Sequence, residues 1–544
     1  MGFDTIRETS GLMGKKWLAR TLLTAGMAVF ATGLSGCAVS EADVKRWEGT
    51  ERGPLKLVAV TTHEKYRPEL RVEAALALVR MRPRGGKKVG YTMLFDKYKD
   101  DDNVYREGAL KQLSEEQRRL IVNGMAPTLL KEMEAPPPPH TPDGRLAQDN
   151  SIPYKDAAFA MLSNEPTLVS DEETRKQLTH ALVKWVQNGF EDRLDNSAQQ
   201  FGVEQMMRFL GPISVKTLPS IVNENANRVD RLAGLINDIG DAETKVRASE
   251  ALVALAKRLL TPDWSAAQLR VVREYNAKNN VKANEIQLAQ QVEKMLDRRL
   301  TEETFPAMKK IGGRPAFEFL MDFAADTKQK EERRKLALAA LEGRMDKNNL
   351  KDLERLFDIA RKDDTPDSVR DVAFLRLGEY PKELIVPKLY TLFEPKKKWK
   401  VRWVAGSMII KTLTAKQIPE FMAKLPTTDK AVMGMTEPLS FGQLMLKLEG
   451  EPKPKDALTP YLTGKALGPR LVALGSYYEG KKADIPTLTP FENDPATLPK
   501  CEKEDECQWS CEAPKASNPK ENELKELKTV GELVKFCIIP SMTK

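Results

Sequence analysis

The sequence predicts an all-α fold in which one type of helix pair recurs along the chain. Apolar residues return at helical spacing nearly everywhere, as in the segments 246–260 and 333–344. Alternating runs rich in Val, Ile and Thr between turn residues, which would indicate strands, are scarce. Gly and Pro interrupt the helical pattern often, which is typical of short helices joined by tight turns.

Length and composition agree with this class. A chain of 544 residues corresponds to three or four ordinary domains or to one repeat array. An apolar fraction of 41% is enough to bury a core, which excludes a wholly disordered chain. Lys and Arg number 86 against 78 Asp and Glu, so the net charge is +8 with both signs mixed. This balance does not favour nucleic-acid binding, and only three His disfavour metal or acid–base chemistry based on histidine.

The N-terminal segment 1–36 has the pattern of an export signal. Four basic residues precede a 13-residue apolar stretch at 21–33, which is too short to span a bilayer but typical of a signal peptide. The stretch runs into Leu-Ser-Gly-Cys at 34–37, which resembles the bacterial lipobox, where a small residue precedes a lipidated cysteine. An ordinary signal peptide with an incidental cysteine is the alternative.

The lipobox resemblance implies cleavage after Gly36 and a diacylglycerol on Cys37, which would anchor the protein in a bacterial membrane. Because Ala38 rather than Asp follows the cysteine, the resemblance favours the outer membrane over the inner one. Removal of residues 1–36 takes away four basic and two acidic residues, so 82 basic against 76 acidic residues leave a mature charge of +6.

A helix-pair unit recurs through the body of the chain. It begins with Gly and Pro, continues as a Leu-rich helix, crosses a polar turn and enters a second helix. That helix carries a basic residue near its start and, in most copies, a small residue three positions later; the clearest copy is 377–393 followed by 401–413. The basic residues that define the copies are Arg71, Lys155, Arg231, Arg247, Arg334, Arg370 and Arg402.

The unit suits stacked helices. A small side chain lets the second helix approach its neighbour, and the basic residue can reach a carboxylate or a carbonyl in the adjacent repeat. The pattern resembles HEAT-type repeats, which form α-solenoids, with units somewhat shorter than the usual ~40–47 residues. We therefore expect a tether and first helix at 37–52 and a HEAT-like α-solenoid at 53–485. A non-repetitive all-α protein with Ala-rich helices is the alternative.

Two segments differ from the repeat pattern. The segment 134–151 contains four consecutive Pro and few apolar residues, so we expect an exposed insertion loop; docking of a proline-reading partner is the alternative. The run 396–400 holds four Lys around a Trp. It is interpreted as a solvated turn, with contact to phosphates or lipid head groups as the alternative.

The last segment, 486–544, contains a cysteine cluster and is expected to cap the solenoid. The cysteines are Cys501, Cys507, Cys511 and Cys537, with the spacing C-x5-C-x3-C-x25-C. This spacing does not match a zinc knuckle, and an exported chain meets an oxidising environment, so two disulfides are favoured, with three pairings possible. The segment 531–539 can supply a final helix that covers the exposed apolar end of the array.

No catalytic sequence motif accompanies this architecture. The G-x-S-x-G, H-E-x-x-H and P-loop patterns are absent from the sequence. We therefore expect a non-catalytic envelope lipoprotein that binds a protein partner through a helical-repeat groove, without cofactor, metal or nucleic acid. Two alternatives stay open: a lyase-type enzyme, since some HEAT-like families act on bound chromophores, or a purely structural envelope protein.

Overall fold

The predicted all-α class is confirmed. The structure is a computed structural model that describes residues 39–139, 147–194, 196–224, 226, 228–393, 397–425, 435–499, 509–514 and 522–542. Across these residues helices dominate, and strands are confined to two short antiparallel pairs. The chain forms two compact units. The first contains the described residues up to Ala135 together with Asp149–Leu182, and the second contains those of Pro136–Gln148 and everything described from Val183 onward.

The first unit is a set of packed helices with one short strand pair. Ser40 caps the first helix, because its side chain accepts a hydrogen bond from the Asp43 amide and Asp43 reciprocates. The elements of this unit are α1 Glu41–Trp47, α2 Gly53–Thr62, α3 Pro68–Arg80, α4 Val89–Phe95, β1 Tyr98–Lys99, β2 Tyr105–Arg106, α5 Ala109–Gln112, α6 Glu115–Met133, α7 Ile152–Ser163 and the first part of α8 Glu172–Gln187.

The second unit begins with helices of varied length. These are α9 Phe190–Leu194, α10 Val203–Leu210, α11 Pro212–Val215, a 3₁₀ turn Leu218–Ile221, α12 Val229–Ile239, α13 Ala242–Leu259, α14 Pro262–Lys278, α15 Glu285–Arg298, a π turn Arg299–Thr304 and α16 Phe305–Ile311.

Five consecutive helix pairs then follow in the second unit. They comprise α17 Arg314–Ala325, α18 Glu331–Ala340, α19 Leu350–Arg361, α20 Asp367–Leu377, α21 Lys382–Tyr390 with the 3₁₀ turn Thr391–Phe393, α22 Trp399–Ile410, the 3₁₀ turn Ala415–Gln417 with α23 Ile418–Lys424, α24 Thr436–Met445, α25 Pro454–Leu458 with the 3₁₀ turn Thr459–Thr463, and α26 Leu467–Gly475. The second helices start at Glu331, Asp367, Trp399, Thr436 and Leu467, and each packs on the next. This is the stacking of an α-solenoid.

One pair illustrates how the sequence makes this unit. Gly312 and Gly313 both have positive φ, at +70° and +86°, and Pro315 lies in the first turn of α17. The side chain of Asp326 accepts hydrogen bonds from the Lys328 amide and the Gln329 side chain, which closes the polar turn before α18. Backbone geometry therefore ends one helix and starts the next without a long loop.

Not every copy begins its first helix at the predicted Gly and Pro. In the copy that Lys155 defines, the Gly and Pro before the first helix are expected at its start, but they lie inside α6, which begins at Glu115 behind the capping residue Ser114. Gly124 and Pro127 are therefore interior residues of a 19-residue helix. The side chain of Val72 lies where a Cβ on Gly124 would be, so this glycine serves close helix packing and does not mark a helix start.

Close approach of second helices relies on glycine at α24 and α26. A Cβ on Gly442 would lie 2.4 Å from the Ser476 nitrogen and the Val472 oxygen, and one on Gly475 would lie 2.6 Å from the Pro438 oxygen. Real side chains do not approach backbone so closely, so both positions require glycine for this packing distance.

The C-terminal region closes the last pair with a mixed structure. Its elements are a 3₁₀ turn Lys482–Asp484, α27 Ile485–Leu488, a 3₁₀ turn Thr489–Phe491, β3 Ser510–Pro514, β4 Asn522–Glu526, α28 Val530–Leu533, a π turn Val534–Ile538 and α29 Ile539–Ser541. The final helical run buries Leu533, Val534 and Ile538 in one core with Leu471 and Leu474 of α26. The sequence predicted this helical run but not the β3–β4 hairpin.

No helix among the described residues combines the length and the apolar character needed to cross a bilayer.

Candidate functional site

The basic residues that define the repeat are mostly buried, and three of them make the same contact. The Nε of Arg71 donates to the Thr61 carbonyl at 2.9 Å. Likewise Arg334 donates to the Ala324 carbonyl at 2.8 Å, and Arg370 to the Ala360 carbonyl at 3.2 Å. In each pair the donor is the fourth residue of the second helix and the acceptor is the penultimate residue of the first.

This contact satisfies a need of the helix backbone. The last four carbonyls of a helix have no partner within the helix, and a buried carbonyl without a donor is unfavourable. An arginine from the following helix supplies that donor and fixes the turn between the two helices. The small residues three positions later, at Ala74, Ala337 and Ala373, are completely buried, as close packing of the second helix requires.

A fourth arginine, Arg470, makes the same contact, although the repeat-defining residues do not include it. Arg470 is the fourth residue of α26, and its Nε donates at 3.1 Å to the carbonyl of Leu462, the penultimate residue of the preceding 3₁₀ turn. Ala473, three residues later, is fully buried. Arg470 and Ala473 therefore match the pattern of a basic residue with a small residue three positions later, although no Leu-rich helix precedes them.

Arg402 uses its buried position differently. Its Nε and Nη2 lie 3.2 and 3.3 Å from the two carboxylate oxygens of Glu437, and both side chains are fully buried. Glu437 is the second residue of α24, where the pattern has no arginine, so the pair joins two consecutive repeats. Burial raises the pKa of Glu437 to about 7, although Arg402 acts in the opposite direction.

Lys155 lies in a buried polar group of the first unit. Its ammonium is 2.7 Å from one oxygen of Asp156, whose other oxygen is 2.9 Å from the ammonium of Lys88. Lys155 is fully buried, and burial lowers its pKa. The group connects α7 with the residue that precedes α4.

The two remaining repeat-defining residues lie at the surface. Arg231 pairs with Glu204 at 2.6 Å, and Arg247 donates to the Lys216 carbonyl at 2.9 Å. Their side chains are 39% and 44% exposed, so these copies lack the buried arginine of the regular pairs.

Opposite charges one repeat apart connect the regular pairs, and single-residue patterns do not reveal them. Asp352 is completely buried, and its carboxylate accepts hydrogen bonds from both terminal nitrogens of Arg314, one of them at 2.9 Å. In the run 396–400, Lys397 and Lys400 also form ion pairs with acidic residues of the previous helix pair. The inter-repeat pairs are Arg314–Asp352, Arg355–Glu318, Lys388–Glu354, Lys397–Asp363 and Lys400–Asp367.

The described cysteines form one disulfide. Cys511 on β3 is bonded to Cys537 in the final helical run, with their Cα atoms 5.7 Å apart. The bond attaches the β3–β4 hairpin to the helix that closes the last repeat. Cys501, Cys507 and the predicted lipid site Cys37 lie outside the described residues, as does the centre of the Pro-rich insertion. Among the residues described, no group of three or more His, Cys, Asp or Glu could hold a metal ion.

An exposed apolar surface lies on the helical hairpin formed by α14 and α15. Val271, Tyr275, Val281 and Ile286 are 55%, 65%, 49% and 71% exposed. Scattered exposed apolar residues are ordinary, but a concentration of large ones on a single hairpin is typical of an interaction surface. Sequence periodicity did not single out this hairpin, because exposure depends on which neighbours cover a helix.

Two clefts in the second unit have mixed linings. One of about 540 Å³ lies where α14 and α15 meet, next to the Arg273–Glu285 ion pair at 2.6 Å. The other, of about 390 Å³, lies beside α16 and α17, and its lining includes Phe317, Met345 and Arg344. Both are open to solvent and could accept side chains of a partner.

Comparison of the chain with known protein families gives no match, and comparison with curated proteins gives none either.

Proposed function

We propose that this protein is a non-catalytic, lipid-anchored scaffold of the bacterial envelope that binds a protein partner through its helical-repeat body. The observation that carries the proposal is the exposed apolar surface of the α14–α15 hairpin next to an open cleft. Exposed apolar residues concentrated on one surface mark protein interaction sites, and repeat proteins bind partners through extended surfaces. The lipobox resemblance at 34–37 supports the envelope location.

The buried arginines have a different role in this proposal. Arg370 and Arg402 are inaccessible, so they stabilise the body and do not touch the partner. Substitutions there affect partner binding only through loss of structure. The partner-contacting residues are instead Tyr275, Val281 and Ile286, which a partner can reach without rearrangement of the body.

Site-specific photo-crosslinking in cells tests the proposal. A photoreactive amino acid at Tyr275 or Ile286 should yield one discrete crosslinked protein, and the aspartate variant Ile286→Asp should lose co-purification of that protein. Leu375 on α20 is the matched control, because it is 64% exposed but lies away from the hairpin. Equal crosslinking from Leu375, or only a small molecule bound to the purified protein, argues against the scaffold.

A further inference from the structure

A basic turn lies beside the end of α1, the first helix among the described residues. Residues 82–88, Arg-Pro-Arg-Gly-Gly-Lys-Lys, contain four basic residues and no acidic one. Arg84 and Lys87 exchange two backbone hydrogen bonds of 2.9 Å across Gly85 and Gly86. Both glycines have positive φ, at +53° and +76°, as a tight two-residue turn requires.

The turn places like charges next to each other, and among the described residues only one of its four basic side chains forms an ion pair with a carboxylate. Arg84 and Lys87 are opposite each other on the same short ladder, an arrangement that is unfavourable unless an anion compensates it. Arg82 and Lys87 are exposed. Lys88 alone is neutralised, by Asp156 at 2.9 Å. Within the described part of the chain, no atom lies within 4 Å of the position that a Cβ would take on either glycine, so this side of the turn is open.

Arg84 attaches this turn to the end of α1. Its Nη2 donates to the Glu48 carbonyl at 3.1 Å, and its Nη1 lies 3.3 Å from the Glu51 carbonyl. These are neutral acceptors, so the positive charge of Arg84 remains available to an anion. Arg52, which follows Glu51 in the chain, is also basic and exposed.

The position of α1 brings the turn close to the predicted anchor. Helix α1 is capped by Ser40, three residues after Cys37. Three residues span at most about 11 Å, and a seven-residue helix adds about 10 Å, so at most about 20 Å of chain separates the predicted point of lipid attachment from the end of α1 that Arg84 contacts.

We propose that the basic turn 82–88 docks on the anionic phospholipid head groups of the bilayer that carries the anchor, and so orients the first unit against the membrane. The inference rests on the proposed lipid anchoring at Cys37. Basic residues near an anionic surface attract it electrostatically, and such attraction adds to a lipid anchor. The acyl chains hold the protein at the membrane, and the turn selects which face of the first unit meets it.

Vesicle co-sedimentation of the mature chain with Cys37→Ser tests the docking without any acyl chain. We expect binding to vesicles containing phosphatidylglycerol that falls with added salt, and much weaker binding to vesicles of phosphatidylcholine alone. The variant Arg82→Gln/Lys87→Gln should bind about 25-fold more weakly, since each basic residue contributes about fivefold.

The matched control is Lys278→Gln/Lys282→Gln, which removes the same charge from two exposed residues at the tip of the α14–α15 hairpin. It should change binding by less than about twofold. Equal binding to both kinds of vesicle, or an equal loss in the control, overturns the proposal. Mass analysis of the protein from cells reports separately on the lipid at Cys37, so failure of the anchor and failure of the basic turn are distinguished.

Discussion

Arg370 shows how a single side chain holds a helix pair together. It is almost completely buried, and it donates to the carbonyls of Ala360 and Lys362 at the end of the preceding helix. The sequence predicts a basic residue at this position with a carbonyl or carboxylate partner in the adjacent repeat. That location is wrong for Arg370, because the carbonyls it reaches end the first helix of its own pair. The pattern also includes Arg247, whose small residue Ala251 follows four positions later and not three, and Arg247 lies at the surface.

Substitution Arg370→Ala is expected to lower the free energy of unfolding by about 2–4 kcal/mol, because two buried carbonyls lose a charged donor. Urea unfolding followed by circular dichroism measures the change. Arg247→Ala, which removes one exposed hydrogen bond, should change it by less than about 0.5 kcal/mol. Equal losses in the two variants would contradict a special role for the buried arginine.

Glu437 makes stability depend on pH in an unusual direction. Burial raises its pKa to about 7 from a value of 4.5 in an exposed chain. Between these values the folded state binds more protons than the unfolded state. The contribution of this group is therefore complete below about pH 4.5 and is lost as the pH rises through about 7.

The variant Glu437→Gln should remove this dependence. Between about pH 5 and pH 8 the native chain should lose on the order of 3 kcal/mol of unfolding free energy relative to the variant. Denaturant titrations at several pH values provide the measurement. Parallel pH profiles for the two proteins would show that Glu437 does not titrate in this range.

At the scale of elements, packing depends on residues that sequence patterns barely mark. Helices α24 and α26 meet through Gly442 and Gly475, two glycines that the repeat pattern does not include. The sequence predicts helices at these places from their periodicity. Their separation depends on residues some 33 positions apart, which local patterns do not relate.

Substitution Gly475→Ala should destabilise the fold by about 1–3 kcal/mol, because the added methyl group meets backbone atoms of α24 that cannot move freely. Thermal unfolding monitors the effect. Gly202→Ala is the control, since no atom lies within 4 Å of the new Cβ and its φ of −66° suits alanine. A similar loss in the control would point to a general effect of replacing glycine.

The disulfide stabilises the C-terminal element by a different mechanism, because it restricts the unfolded chain. Cys511 and Cys537 are 26 residues apart, so loss of the bond should lower stability by about 3–4 kcal/mol through the unfolded state. We expect Cys537→Ser to expose the region 509–542 to limited proteolysis first. Cys511→Ser should have the same effect and the double variant no more, whereas an additive effect would contradict a shared bond.

At the scale of the whole molecule, the predicted lipid anchor and the helical body have separate roles. The described residues form a helical body, while the predicted anchor lies in the first 37 residues. Replacement Cys37→Ala should therefore move the protein from the membrane fraction to the soluble fraction of cell extracts, with helix content unchanged by circular dichroism. Continued sedimentation with membranes at high salt would argue against lipid attachment at this residue.

The sequence by itself determined the all-α class, the approximate repeat length and the approximate positions of the regular second helices. These follow from periodicity and from Gly and Pro at turns, which act over a few residues. The pattern thus identifies the regular pairs that begin at Arg314 and Leu350. It does not identify the pair that starts at 415, because the second helix of that pair, α24, has no arginine at its fourth position.

Only the tertiary structure decided which of these residues are buried. The neighbouring repeat buries Arg402 against Glu437, whereas no neighbour among the described residues covers the exposed residues of the α14–α15 hairpin. Two segments with similar sequence patterns can therefore differ in burial, because their neighbours in the fold differ. The division into two units and the β3–β4 hairpin likewise depend on contacts between distant residues. Burial is a property of the stack, whereas helix formation is largely a property of the segment, and this is the physical reason for the difference.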